Sequence, residues 1–99
     1  MQTYLMLWTW TQPALEHVRD TTHRADRVIA AFKRHGVTVR DLYWTEGQFD
    51  GFVLLEAEDE QTLAAAVLGN DALGNIRTQT LRAFNEDEMT EIVGKIVEE

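Results

Sequence analysis

The segment that most constrains this chain is Gln2 to Trp10, which reads QTYLMLWTW. Its aromatic and β-branched residues favour an extended strand. Alternation puts Tyr4, Met6, Trp8 and Trp10 on one side, and Leu5 and Leu7 with Thr3 and Thr9 on the other. Both sides are substantially apolar, so the strand belongs in the middle of a sheet that is covered on both faces.

The rest of the chain supplies the partners. Thr11 is placed as a helix N-cap with Pro13 in the first turn. Leu15, Val18, Ala25, Val28, Ile29 and Phe32 then recur at helical spacing, which predicts one long amphipathic helix ending at His35-Gly36. Asp20 and Arg24, four apart, are expected to support it as an i, i+4 pair. Val37–Thr45 and Phe49–Ala57 read as strands joined at Glu46-Gly47-Gln48, a hairpin turn with Gly47 at the unusual backbone angles. Asp59 and Glu60 open a second helix carrying Leu63, Val67 and Leu68. Residues 69–75 read as loop, and Ile76–Phe84 as a fourth strand. Asn85 and Glu88 have capping-box spacing before a third helix with Met89, Ile92, Val93 and Ile96.

The order β-α-β-β-α-β plus a C-terminal helix predicts an α+β, ferredoxin-like fold with a four-stranded antiparallel sheet. Two helices cover one face of such a sheet. The third helix is expected to cover part of the other face and a second copy of the chain the rest. The expected state is therefore a homo-oligomer, with a dimer favoured. At 99 residues, 44% of them hydrophobic, the chain is long enough for one domain with a real core, residues 1–99, and too short for two.

Several chemistries are excluded by composition. The chain has no cysteine, so it forms no disulfide, thiolate zinc site, iron–sulfur cluster or cysteine nucleophile. It has no serine and hence no serine nucleophile. Seventeen acidic residues against nine basic ones give a net charge of −8, which repels phosphate backbones and anionic lipid. Neither nucleic acid nor a membrane is an expected partner. Without a leader-like or membrane-length apolar segment, the expected location is cytoplasmic. His17 and His23 are six apart, not the four of a helical metal pair, and no metal is predicted. No nucleotide-binding glycine motif is present, and no cofactor is predicted. The acidic runs Glu56–Glu60 and Glu86–Glu88 fall at helix starts, where negative charge is favoured without any catalytic role.

Three stretches together resemble one family. They are Trp10-Thr11, the hairpin Tyr43-Trp44-Thr45-Glu46-Gly47-Gln48-Phe49-Asp50, and the last strand Gly74 to Phe84, followed by the acidic start of the last helix. The chain is similar in these to the GYD-domain family, named for a Gly-x-Tyr-Asp turn. The resemblance implies a ferredoxin-like fold related to the dimeric α+β barrels, a group that includes cofactor-free monooxygenases, isomerases and ligand-sensing or structural modules. Phe49 stands where the turn tyrosine would be, so no phenol is available there.

Trp8, Trp10, Tyr43, Trp44, Asp50, Arg77 and Arg82 form the polar and aromatic set around the strands. As ligand-binding residues, the aromatics would wall a cavity and one arginine would anchor an anionic group. As structural residues, the aromatics would fill core or interface, Asp50 would bond amides of its own turn, and an arginine would pair with Asp41, Glu56 or Asp50. Arg77 and Arg82 have opposite parity and face opposite sides of the sheet. The expected function is binding of a small, partly apolar molecule with an anionic group. The alternatives are a cofactor-free monooxygenase or isomerase using Tyr43, Asp50 or an arginine, and an assembly or partner-binding module without a ligand.

Overall fold

A computed structural model of the chain describes residues 1–98. Its elements are β1 (Gln2–Trp10), α1 (Gln12–Glu16), a 3₁₀ turn at Val18–Asp20, α2 (Thr21–Arg34), β2 (Val37–Trp44), β3 (Gly51–Ala57), α3 (Glu60–Asp71), β4 (Ile76–Ala83) and α4 (Glu86–Gly94). The four strands form one antiparallel sheet in the order β2-β3-β1-β4, the ferredoxin-like arrangement. The strand that the sequence requires to be central lies between β3 and β4.

Register fixes the two faces. Tyr4, Met6 and Trp8 of β1 and Val53, Leu55 and Ala57 of β3 are buried on the helix side with Phe32, Val37 and Leu63. Leu5, Leu7, Phe52 and Leu54 face the other way and are half-buried. Tyr43 and Leu81 flank them and are exposed. β2 carries an irregularity between Val39 and Asp41. It restores the alternation needed for Val37, Val39, Leu42 and Trp44 all to face the helices.

The predicted first helix is two helices. α1 stops at His17, and α2 restarts at Thr21 after the 3₁₀ turn. Leu15 and Val18 are consequently exposed rather than packed with Val28 and Phe32. The carbonyl of His17, which accepts from the N–H of Asp20 at 3.0 Å, also accepts from Arg24 Nη2 at 2.8 Å, so Arg24 does not pair with Asp20. Asp20 instead takes His23 at 3.2 Å and Arg27 at 3.3 Å. Thr11 precedes α1 but makes no side-chain cap; its hydroxyl donates to the carbonyl of Gly74 at 2.6 Å, tying β1 to the start of β4.

α3 runs to Asp71, into the segment expected to be loop. Gly69 and Asn70 are poor helix formers, but Asp71 Oδ2 accepts from Thr78 Oγ1 at 2.6 Å and holds this last turn against β4. The capping box at Asn85 and Glu88 is present in both directions. α4 does not cover the open sheet face. Met89 and Val93 are 48% and 53% exposed, and Ile96 lies beyond the end of the helix.

Candidate functional site

The helix side of the sheet is not fully packed. A cavity of about 360 Å³ lies between α2, the helix-facing residues of β1 and β2, and the end of α3. All three tryptophans of the chain line it. Trp8 forms part of the floor, Trp10 stands at the end of the same strand, and Trp44 meets Trp8 edge-on with centroids 6.4 Å apart. Met6, Val28 and Phe32 add apolar wall. Trp44 Nε1 donates to Thr21 Oγ1 at 3.1 Å, which ties the end of β2 to the start of α2. The indole N–H of Trp8 is buried and has no hydrogen-bond partner among the described residues. Leaving such a donor unpaired costs about 1–3 kcal/mol.

The polar groups of the cavity are unusual for so acidic a chain. Arg24, Arg27 and Arg34 line it, three of the nine basic residues. Among the described residues no Asp, Glu, His, Lys or Tyr side chain does. The walls therefore offer apolar contact and positive charge but no general acid–base pair.

The seven candidate residues fall in separate places. Trp8, Trp10 and Trp44 share the cavity. Tyr43 and Arg77 lie on the opposite face of the sheet, where Tyr43 stacks on Phe52 with centroids 5.3 Å apart. Asp50 lies at the hairpin end of β3; its backbone carbonyl accepts from the Thr45 N–H at 2.9 Å, but its carboxylate bonds no amide of its own turn. Its Oδ2 accepts from the backbone N–H of Trp10 at 2.8 Å, while its own N–H donates to the carbonyl of Trp8 at 2.8 Å. β1 outruns β3 here, since Trp8 pairs with Gly51 as the last matched residue. The Asp50 carboxylate takes the place of the missing strand for Trp10.

Arg82 sits in a second recess between α3 and β4, with Tyr4, Glu60 and Thr80. Its guanidinium lies over the rings of Phe84 (4.5 Å) and Tyr4 (5.5 Å). It pairs with Glu88 at 3.1 Å and donates to the carbonyls of Thr3 and Ala83. Its carboxylate partner is thus on α4 and is none of Asp41, Asp50 and Glu56. Glu56 is engaged by Arg40 at 3.1 Å. Burial pushes the Tyr4 phenol above its ordinary value of 10.0, with Glu60 adding to the shift and Arg82 opposing it.

Sequence reasoning missed Arg24, Arg27, Arg34 and Thr21 as cavity residues. The available signal was the spacing of Arg24, Arg27 and Arg34, which places them on one stripe of α2. It also missed Gly51. A Cβ there would lie 2.1 Å from Trp8 Cη2 and 2.6 Å from the Tyr43 carbonyl, so the glycine is the slot into which the Trp8 ring fits.

Among the described residues, no helix is long and apolar enough to cross a membrane, and no three His, Asp or Glu side chains cluster as metal ligands. Sheet order and helix placement define an α+β domain of ferredoxin-like type. The family model for the GYD domain matches residues 4–93, and the chain belongs to that family. It is also 33% identical over 85 residues to the "Glutamine synthetase and cystathionine beta-lyase binding protein" of Thermus thermophilus, a match covering 85% of this chain and 90% of the relative. No solved structure matches the chain.

Proposed function

We propose that the chain is a protein-binding module, itself a homo-oligomer, that takes enzymes as partners. The observation carrying this reading is the uncovered sheet face, where Leu5, Leu7, Phe52 and Leu54 form a continuous apolar centre flanked by Tyr43 and Leu81. Apolar area removed from water is worth about 25 cal/mol per Å², and a contiguous patch at the centre of a sheet favours association. The Thermus relative, named for binding two enzymes, supports enzymes as the partner class. Purified glutamine synthetase and cystathionine β-lyase are therefore the first partners to test against the immobilised chain. Saturable binding to at least one is expected, and Leu54→Lys, which splits the homo-oligomer at that face, should weaken it. No binding to either at micromolar concentrations, with a chain that is monomeric throughout, would refute the proposal.

A second reading rests on a different observation, the cavity beneath α2. Its apolar walls and its volume of about 360 Å³ suit a small, partly apolar molecule. A thermal-shift screen of aromatic and aliphatic acids and their neutral counterparts tests it, with a concentration-dependent rise in midpoint expected for some of them. A flat response across the panel would remove the reading.

A further inference from the structure

The cavity carries more than the general idea of a small ligand, on which the following rests. We propose that it is a site for an amphipathic carboxylate, with the apolar body against Trp8, Trp10 and Phe32 and the carboxylate on Arg24.

The chain holds seventeen acidic residues and nine basic ones, yet three arginines and no carboxylate line this cavity. A neutral apolar ligand does not require such a distribution, and a cation is repelled by it. An anion is the ligand class that it favours.

The three arginines differ in what already holds them. Arg27 is already paired with Asp20 at 3.3 Å and is 68% exposed at the side chain. Arg34 is exposed at the far end of α2, about 15 Å along the axis from Arg24. Arg24 is half-buried, and its one hydrogen bond goes from Nη2 to the neutral carbonyl of His17. No carboxylate pairs with it among the described residues. A guanidinium carries five N–H donors, so Arg24 keeps donors for a planar carboxylate while its bond to His17 holds it in place. It is also near the Trp44–Thr21 hydrogen bond, since Thr21 and Arg24 lie three apart on α2.

The floor of the cavity suits an apolar body. A ring or short alkyl chain can lie against Met6, Trp8, Trp10, Val28 and Phe32, while Thr21, Asn70, Asn75 and the arginines supply the polar lining. The site therefore favours an aromatic or medium-chain acid over a small hydrophilic one.

The test is a titration of ¹⁵N-labelled chain with 4-phenylbutyrate, and with 4-phenylbutanol as the uncharged counterpart. It is followed at the indole N–H signals of Trp8, Trp10 and Trp44. The acid should move all three signals and bind about tenfold or more tightly than the alcohol. Arg24→Met should abolish that preference, the acid losing about tenfold or more in affinity and the alcohol much less. Arg24→Lys should retain most of the preference, and Arg77→Met, on the other face, should change neither affinity. Equal affinities of acid and alcohol for the unaltered chain would overturn the assignment of an anion while leaving the cavity a binding site. If neither compound moves an indole signal at millimolar concentration, both this proposal and the cavity reading fall.

Discussion

Asp50 shows how one side chain completes a sheet that backbone pairing leaves unfinished. β3 ends its pairing with β1 at Gly51, and the next inward-pointing N–H of β1, that of Trp10, has no strand beside it. The carboxylate of Asp50 accepts that N–H at 2.8 Å, and a hydrogen bond to a charged group is worth about 1.5–3 kcal/mol. Asp50→Ala should lower unfolding stability by that amount. Asp50→Asn keeps an acceptor oxygen and should lose about half as much. Equal urea midpoints for the two variants would show that the charge adds nothing. The neighbouring Gly51 is constrained by space. Gly51→Ala drives a methyl group into the Trp8 ring and the Tyr43 carbonyl, and should cost about 3 kcal/mol, the upper part of the range for overpacking. Loss of the near-ultraviolet tryptophan circular dichroism would accompany it. Gly47 differs from it, because a Cβ there meets open space and only its φ of 128° opposes substitution. The turn glycine was legible in sequence because glycine after a strand signals a turn. Gly51 was not, because the close approach comes from a residue 43 positions away.

At the level of elements, helix ends were legible where a local side chain makes them. Asn85 and Glu88 cap α4 reciprocally, and Asp59 Oδ1 accepts from the N–H of Thr62 at 2.7 Å to start α3. The break between α1 and α2 was not legible. Leu15, Val18, Val28 and Phe32 keep helical phase across it, and neither glycine nor proline marks it. The capping carboxylates also set a pH response. The Asn85 N–H, and then the Arg82 guanidinium, hold Glu88 below the ordinary value of 4.5, and the Thr62 N–H holds Asp59 below 3.8. The hydrogen bond from His23 and then the one from Arg27 do the same for Asp20. Each group has a lower pKa folded than unfolded. Between the two values the unfolded chain binds more protons, so stability rises with pH there. The contribution is fully present at neutral pH and is lost as pH falls below about 4. Glu88→Gln should therefore lower the urea midpoint at pH 7, and the gap to the unaltered chain should narrow as pH falls below the ordinary carboxylate range. A gap that is constant across this range would mean that the Glu88 charge plays no part in holding α4.

The whole molecule is less compact than its length requires. The Cα radius of gyration is 15.4 Å, against about 13 Å for a compact domain of 100 residues, and the longest extent is 54 Å. Two apolar surfaces accompany this shape, the open sheet face and the stripe of Met89 and Val93 on α4. The sequence already demanded cover for the first, because Leu5 and Leu7 make the central strand apolar on both sides. α4 does not supply that cover. A second copy stacked on the sheet would bury Leu7, Phe52 and Leu54 against their counterparts about a twofold axis, the commonest symmetry for such contacts. Light scattering should accordingly give about twice the chain mass of 11.4 kDa for the unaltered protein. Leu54→Lys is the sharpest disruption, because it puts like charges opposite each other at the centre of the contact. Leu54 is only half-buried within one chain, so the lysine stem can lie along the sheet while its ammonium reaches water. The variant should scatter as a folded monomer with the unaltered far-ultraviolet circular dichroism. Val93→Lys on α4 separates the two surfaces. If the same copy covers both, it too should weaken the dimer, whereas an undiminished dimer would leave the sheet face as the whole of the contact. An unaltered chain that scatters as 11.4 kDa at every accessible concentration would refute assembly through either surface.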